Sequence, residues 1–261
     1  MGMGDRMNDD LLVEVRDRVM HVTINRPERR NAINANVLAG LMQALENAGK
    51  SREVRAVVIT GAGDSAFCSG ADLREPSFRF DYSEPHQWLA DLLRQSRRCL
   101  VPLIARVNGA CLAGGMGLLA MCDMAVASPN AVFGLPEVKV GVFPAQVLSV
   151  LQHQLPRRVL TEMCITGETI DAQQALAYRL VNHLAEDDLD AKLDWLLARL
   201  LDKSPAAIRR GLYTIKQIEA MPFEASMAFT ESQIGLFALT QDFQEGMAAF
   251  IEKRRPNWSG R

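Results

Sequence analysis

Two kinds of hydrophobic spacing alternate along the first part of the chain, and they predict short strands separated by helices. Residues 11–24 alternate apolar and polar positions in two runs interrupted at residues 16–18, which predicts a β-hairpin. Residues 34–47 instead repeat apolar positions at helical spacing, and Asn34 is placed to cap that helix. Strands that alternate with helices in this way are typical of a layered α/β body.

The same criteria predict the other elements before residue 188. Helices are predicted at residues 89–99 and over most of residues 148–177, with breaks at Pro156 and at residues 166–168. A polar loop with embedded aromatic residues is predicted between Arg74 and Trp88. Short apolar runs predict strands at residues 55–60, 101–107, 124–127, 131–133 and 180–184.

After residue 187 the pattern predicts helices with no strand between them. These helices cover residues 189–201, 205–220, 224–239 and 240–253. Their apolar stripes, which include Leu193, Leu196, Leu197, Leu200, Phe229, Ile234 and Phe237, are larger than a thin appendage needs. We therefore predict an α/β core over residues 1–187 and a helical region over residues 188–261 that serves oligomerisation.

Composition restricts the partners and the compartment. The 29 basic and 31 acidic residues give a net charge of −2, which does not favour nucleic acid or an acidic membrane as a partner. No apolar stretch reaches membrane-spanning length, and the first ten residues show no secretory signal. The five cysteines are scattered without a C-x-x-C pair and the four histidines lie far apart, so we expect a reducing cytoplasm and no metal site.

Glu137 is the one carboxylate in a largely apolar run, residues 133–144, and it is the main candidate for chemistry. A charged group is costly to bury, so it is paired or it serves a reaction. Residues 108–119 predict a strand end, a glycine turn and a buried helix whose first N–H groups can face an oxyanion. An acid opposite free amides is suited to forming and holding an enolate.

Several segments occur in an order and spacing that resembles the crotonase family of enoyl-CoA hydratases and isomerases. They are residues 25–34 (NRPERRNAIN), 66–73 (AFCSGADL), 114–115 (GG), 122–123 (CD), 133–137 (FGLPE) and 252–256 (EKRRP). The resemblance covers nearly the whole chain. It implies the crotonase spiral of ββα units with a helical trimerisation region, and a homotrimer or a hexamer. It also implies an acyl-CoA substrate and no separate cofactor, since coenzyme A is part of the substrate.

The resemblance also implies roles for individual residues. Ala71 and Gly114 would supply the two N–H donors to the thioester oxygen, and Glu137 would be the catalytic base. Arg29 or Arg30, Arg74 and Lys253 are candidate phosphate contacts of coenzyme A, and the last two match basic positions that line the coenzyme A site in the family. A solvated surface charge is, however, the ordinary role of such residues. Other substrate or coenzyme A contacts are expected within the second motif, at Ala66, Ser69, Gly70, Asp72 and Leu73.

The chain departs from the family's hydratases at Gly117. Those enzymes carry two catalytic glutamates, and the first of them aligns with Gly117, so Glu137 alone remains. A single base above an enolate is the pattern of the family's Δ3,Δ2-enoyl-CoA isomerases, and isomerisation is therefore the predicted reaction. Hydration stays open if a water is held by the backbone, by Gln146 or by an acid that the sequence does not reveal. Gln146 follows Pro144, where many relatives have glycines, and it lies beside the acyl pocket or caps a helix.

Two other classes of protein also stay open. A non-catalytic acyl-CoA binding protein would share the motifs, but it has no use for a desolvated carboxylate opposite the amide turns. A thioesterase with Cys68 or Cys111 as nucleophile is a minor alternative, because no histidine is close to either in sequence and an apolar setting raises a thiol pKa.

Overall fold

The computed structural model describes residues 9–74 and 88–261, without the side chain of Trp88. Most of the loop predicted between Arg74 and Trp88 therefore lies outside the described residues. The predicted hairpin is confirmed: β1 (Leu11–Arg16) and β2 (Val19–Ile24) pair antiparallel with Leu11 opposite Ile24.

The larger sheet extends from this hairpin. Its strand order is β1-β2-β3-β5-β7-β10, and each pair beyond the hairpin is parallel. Parallel strands covered on both faces consist of nearly continuous apolar residues, which is why the sequence shows apolar runs rather than alternation here. The added strands are β3 (Ala56–Gly61), β5 (Leu103–Val107), β7 (Met124–Ala127) and β10 (His183–Leu184).

A smaller sheet holds the segments that form the candidate site. Its order is β4-β6-β8-β9, with β8 and β9 antiparallel. β6 and β9 were not predicted as strands, because β6 lies within the segment interpreted as a strand end and a glycine turn, and β9 lies within residues 148–177, which were predicted to be mostly helical. The four strands are β4 (Ala66–Cys68), β6 (Ala110–Leu112), β8 (Val132–Gly134) and β9 (Thr169–Asp171).

The predicted helices are present, with bounds shifted by a few residues. Asn34 caps α1 as expected, since its side-chain oxygen accepts a hydrogen bond from the Val37 N–H at 2.9 Å. In chain order the helices of the core are α1 (Ala35–Lys50), α2 (Trp88–Arg98), α3 (Gly114–Ala120), α4 (Ala145–Leu151), α5 (Arg157–Thr166) and α6 (Ala172–Ala177). The helices of the C-terminal region are α7 (Leu189–Leu201), α8 (Pro205–Ile218), α9 (Phe223–Ala238) and α10 (Gln241–Glu252).

The apolar stripe of α7 is buried within the chain. Leu193, Leu196, Leu197 and Leu200 pack with Val58 and other apolar side chains of β2, β3, β5 and β7. These leucines were expected to contribute to an interface between copies, and the larger sheet uses them instead because its second face would otherwise be open. The main core, which includes Phe67 and Phe133, lies on the other face of that sheet.

Polar contacts fasten α8 to the core, and others join α10 to the residue before α8 and to the C-terminal residues. The Lys216 ammonium lies 3.1 Å from an Asp123 carboxylate oxygen and donates to the carbonyl of Cys99 at 2.8 Å. Asp242 is buried and accepts hydrogen bonds from the Ser204 hydroxyl and from the Gly260 N–H.

None of the helices in residues 9–74 and 88–261 combines the length and the apolar character that a membrane-spanning segment needs. The domain boundary between residues 187 and 188 stays a prediction.

Candidate active site

The turn after β4 presents one backbone amide towards a cavity. Ile33 donates its N–H to the Gly70 carbonyl at 2.7 Å, and Asp72 donates its N–H to the Ile33 carbonyl at 2.8 Å. The Ala71 N–H between these two bonds has no acceptor within the described part of the chain. Gly70 adopts φ 101°, a conformation that favours glycine, and this allows the sharp turn.

A second free amide lies directly beside the first. Gly114 begins α3, and the first N–H groups of a helix have no partner inside it. A Cβ atom built on Gly114 would lie 3.8 Å from the Ala71 nitrogen and 3.2 Å from the Ile33 Cδ1. A Cβ on Gly115 would lie 2.3 Å from the Cys68 carbonyl oxygen, so the start of α3 rests against the end of β4. The two turns therefore place both amides at one spot.

Glu137 lies on the same cavity as the two amides. It belongs to a 3₁₀ turn, Pro136–Val140, and is half-buried. Its Oε2 is buried and has no hydrogen-bond partner among the described residues. Burial raises the pKa of the Glu137 carboxyl above its ordinary value of 4.5, with a smaller opposing effect from a backbone hydrogen bond. Such a carboxylate is a stronger base than a solvated one.

The cavity has a volume of about 620 Å³ and is mainly apolar. Ala71, Gly114 and Glu137 all line it, together with Ser69 and Leu73. Gln146 lines it as well, as the second residue of α4. Lys139, which also lines the cavity, pairs with Glu168 at 3.0 Å and not with Glu137. The other lining residues are Leu38, Leu89, Ala113, Pro136, Val140, Val142, Phe143, Pro144, Ala145 and Val147.

Three residues of the second motif support the turn and do not line the cavity. Asp72 forms a buried ion pair with Arg26 at 3.0 Å, and its second oxygen accepts from the Arg74 N–H at 3.2 Å. The Ala66 carbonyl accepts from the Asn31 side chain at 2.7 Å. Gly70 provides the bend. Arg26 and Asn31 are thus positioning residues whose roles the sequence analysis did not identify, although both belong to its first motif.

The cations assigned to coenzyme A do not line the cavity of this chain. Arg29 ends a 3₁₀ turn, Pro27–Arg29, whose last carbonyl accepts from the Ser69 hydroxyl at 3.5 Å. Arg74 is exposed just after the Ala71 turn, and Lys253 follows α10. Their contacts with phosphate stay a prediction.

The site of the missing second acid is filled by an apolar side chain. A Cβ atom built on Gly117 would lie 2.8 Å from the Val147 Cγ1. Val147 is itself buried and lines the cavity. Gly117 was identifiable from the sequence and Val147 was not, because only the packing of α4 on α3 brings the two together.

Neither cysteine considered as a nucleophile suits that role. Cys68 and Cys111 are both fully buried, and they face each other across β4 and β6. Burial raises the pKa of the Cys68 thiol to about 12 and raises that of Cys111 well above its ordinary value. Neither is among the described residues that line the cavity. The described residues also contain no cluster of side chains that could hold a metal ion.

Comparisons with known proteins agree with this geometry. The family model described as Enoyl-CoA hydratase/isomerase matches residues 14–261. The chain is 34% identical to the 2,3-dehydroadipyl-CoA hydratase of Escherichia coli over 97% of this chain and 99% of that protein. It is 31% identical to the (E)-benzylidenesuccinyl-CoA hydratase of Thauera aromatica over 95% and 98% of the two chains. A crystal structure of an enoyl-CoA hydratase of Mycobacterium smegmatis superposes with a TM-score of 0.91 at 32% identity, covering 96% of this chain and 99% of that one.

The buried Glu137 carboxylate predicts a pH-dependent change in stability. Ionisation in the folded state costs more than in the unfolded state, so the free energy of unfolding falls as the pH rises from 4.5 through the raised pKa. Glu137→Gln removes that cost, because glutamine does not ionise. We expect the variant to be more stable than the wild type at pH 8 and equal to it at pH 4, by urea unfolding at one protein concentration. The exposed Glu162→Gln is the control, and an equal difference at both pH values for Glu137→Gln would contradict this account.

Proposed function

Because this chain belongs to the enoyl-CoA hydratase/isomerase family, we propose that it is an enoyl-CoA isomerase with a single glutamate base. The relationship makes the chain an enzyme of the crotonase family. The finer proposal depends on three features of one cavity. Glu137 has an Oε2 without a hydrogen-bond partner among the described residues, the amides of Ala71 and Gly114 lie on the same cavity, and Val147 occupies the position of the second acid.

The proposed reaction follows from that arrangement. The thioester oxygen of a 3-enoyl-CoA accepts hydrogen bonds from the Ala71 and Gly114 N–H groups. Glu137 removes a proton from C2, and the electron pair of that C–H bond moves into a dienolate whose charge rests on the thioester oxygen. The protonated carboxyl then returns the proton to C4, which gives the 2-enoyl-CoA. One donor of this kind contributes about 3–4 kcal/mol to lowering the barrier.

The proposal also covers the cofactor, the contacts with coenzyme A and the compartment. It includes no separate cofactor, with coenzyme A entering as part of the substrate and Arg29, Arg74 and Lys253 as its phosphate contacts. The five cysteines are buried and free of disulfides, which supports a reducing compartment such as the cytoplasm.

Hydration of a 2-enoyl-CoA is the second candidate, and the names of the relatives favour it. The Escherichia coli and Thauera aromatica relatives are both named as hydratases. Hydration needs one group to activate water and another to protonate the α-carbon. Glu137 is the one carboxylate among the described residues that line the cavity, so a water would have to be held by Gln146 or by backbone groups.

The first test compares both substrates with one purified protein. In deuterated water we expect rapid conversion of 3-enoyl-CoA to 2-enoyl-CoA, and little 3-hydroxyacyl-CoA from 2-enoyl-CoA. Glu137→Gln should lower kcat for isomerisation by about 100- to 10,000-fold, because the proton carrier is lost, while substrate binding stays near that of the wild type.

Glu162→Gln, on the exposed side of α5, serves as the control and should keep wild-type kcat. Rapid formation of 3-hydroxyacyl-CoA by the wild type would assign the enzyme to hydration instead. Tight binding of both thioesters without conversion of either would indicate the non-catalytic class.

A second test concerns Gly117 and Val147. Gly117→Glu alone should be poorly tolerated, because overpacking of a core helix typically costs about 1–3 kcal/mol. Gly117→Glu combined with Val147→Ala has room for the new side chain, and its ratio of hydration to isomerisation should rise at least about tenfold. Val147→Ala alone is the control and should not gain hydration. A folded double variant with no gain would show that the filled position is not what limits hydration.

We propose further that the protein forms a homotrimer or a hexamer of two trimers. Exposed apolar residues remain on the C-terminal helices of a single chain, with Ile234 71%, Leu239 76% and Phe250 81% accessible. Apolar surface of this extent on neighbouring helices is typical of an interface. Because the α7 leucines are buried against the sheet, α9 and α10 carry this proposal.

Sedimentation velocity at micromolar concentration tests the oligomer. We expect the wild type to sediment as a trimer or hexamer, and Phe250→Asp to shift it towards the monomer because a charge would be buried at the interface. Val15→Asp, an exposed position on β1, is the matched control and should leave the sedimentation coefficient unchanged. A wild-type monomer would contradict the proposal.

A further inference from the structure

Ala113, the residue between β6 and α3, has a backbone conformation that is unusual for a residue with a side chain. Its φ is 50° and its ψ is −122°. Arg30 and Lys253 also have positive φ, but their ψ values of 38° and 37° belong to the left-handed helical region, which other residue types populate. The conformation of Ala113 is that of a turn position dominated by glycine. Such strain persists only where the surrounding structure fixes it, and it is concentrated at functional sites.

Two hydrogen bonds hold Ala113 in this conformation. Its N–H donates to the Gly134 carbonyl at 2.9 Å, which continues the pairing of β6 with β8, and its carbonyl accepts from the Met116 N–H at 2.9 Å. The carbonyl of Ala113 and the N–H of Gly114 belong to one planar peptide group and point in opposite directions. Because the bond from Met116 fixes that carbonyl, it also fixes the direction of the Gly114 N–H. The backbone of Ala113 thus orients one of the two free amides.

The methyl group of Ala113 lies against the turn that carries the other free amide. A Cβ atom built on Gly70 would lie 2.7 Å from the Ala113 Cβ and 3.4 Å from the Gly114 nitrogen. Gly70 directly precedes Ala71, whose N–H is that other amide. Ala113 is half-buried and lines the cavity of the candidate site. Its methyl group therefore separates the two turns at the place where both of them border the cavity.

We propose that Ala113 is a positioning residue, whose methyl group holds the Ala71 and Gly114 amides at the spacing that one thioester oxygen requires. Two donors act on one oxygen only if each lies about 2.7–3.1 Å from it. Glycine at residue 113 would remove this spacer and would widen the range of accessible backbone conformations. The strain is tolerated because the methyl group gives the two donors a fixed geometry. This inference rests on the proposed function, since it assumes that a thioester oxygen occupies the space between the amides.

Ala113→Gly tests the proposal through different effects on activity and on stability. A misplacement of about 1 Å can lower a rate about 100-fold, so we expect kcat for isomerisation of 3-enoyl-CoA to fall about 10- to 100-fold. KM should stay within about threefold of the wild type, because the contacts with coenzyme A are unchanged. The melting temperature should not fall, because glycine relieves the strain at positive φ. Wild-type kcat, or a loss of kcat together with a lower melting temperature, would overturn the proposal.

Two further variants separate the methyl contact from a general loss of packing. Ala113→Ser keeps the Cβ atom, so its kcat should stay within about threefold of the wild type. A loss as large as that of Ala113→Gly would overturn the proposal. Ala48→Gly is the matched control, because Ala48 is fully buried in α1 and does not line the cavity. It should lower the melting temperature and leave kcat unchanged, the reverse of the result expected for Ala113→Gly.

Infrared spectroscopy of a bound saturated thioester gives a measurement that does not require turnover. Hydrogen bonds to a carbonyl oxygen lower its stretching frequency. Butanoyl-CoA labelled with ¹³C at the thioester carbonyl should therefore show a lower frequency when bound to the wild type than when free in solution. The lowering should be smaller in Ala113→Gly and should be kept in Ala113→Ser and Ala48→Gly. An equal lowering in the wild type and in Ala113→Gly would overturn the proposal.

These measurements separate this proposal from the proposed function. If the wild type isomerises 3-enoyl-CoA, and Ala113→Gly keeps its kcat and its carbonyl frequency, the isomerase assignment stands and the role of Ala113 is wrong. If no enoyl-CoA is isomerised, but the carbonyl frequency depends on residue 113 in the expected way, the role of Ala113 stands and the isomerase assignment is wrong.

Discussion

The close approach of two backbone turns is the constraint on which the candidate site depends. A Cβ atom on Gly70 would lie 2.7 Å from the Cβ of Ala113, and one on Gly115 would lie 2.3 Å from the Cys68 carbonyl oxygen. The smaller sheet creates this contact, because its parallel strands β4 and β6 end side by side. The buried ion pair between Arg26 and Asp72 holds the turn that contains Ala71 in place. Side chains at these glycines would separate the amides that face the cavity.

The second constraint is a buried carboxylate oxygen, Glu137 Oε2, that has no hydrogen-bond partner among the described residues. Burial makes the ionised form of Glu137 costly, a backbone hydrogen bond offsets only a smaller part of that cost, and Lys139 pairs with Glu168 instead. A fold tolerates such a group where its basicity is used, and the neighbouring amides can hold the negative charge that it generates. Val147 completes the arrangement, because it fills the space beside Gly117 with a methyl group. The cavity therefore presents one base rather than two.

The apolar side chains of the C-terminal helices fall into two groups, which are buried on α7 and exposed on α9 and α10. The leucines of α7 cover the second face of the larger sheet, which a parallel sheet requires. Lys216 then ties α8 to the core through its ion pair with Asp123. The apolar side chains of α9 and α10 remain exposed in a single chain, with Phe250 the most accessible of the large apolar side chains in the described residues.

Local patterns in the sequence were sufficient for the hairpin, the capped helix α1, the strand-free C-terminal region and the candidate Glu137, because periodicity, capping and a charge in an apolar run are properties of neighbouring residues. Only the tertiary structure decided that the α7 leucines face the sheet, that Lys139 pairs with Glu168 and that Val147 occupies the place beside Gly117. Those contacts join residues far apart in the chain. A side chain has several possible apolar or charged partners, and the packing of the helices and strands determines which one it contacts. The spacing of residues along the sequence does not contain that information.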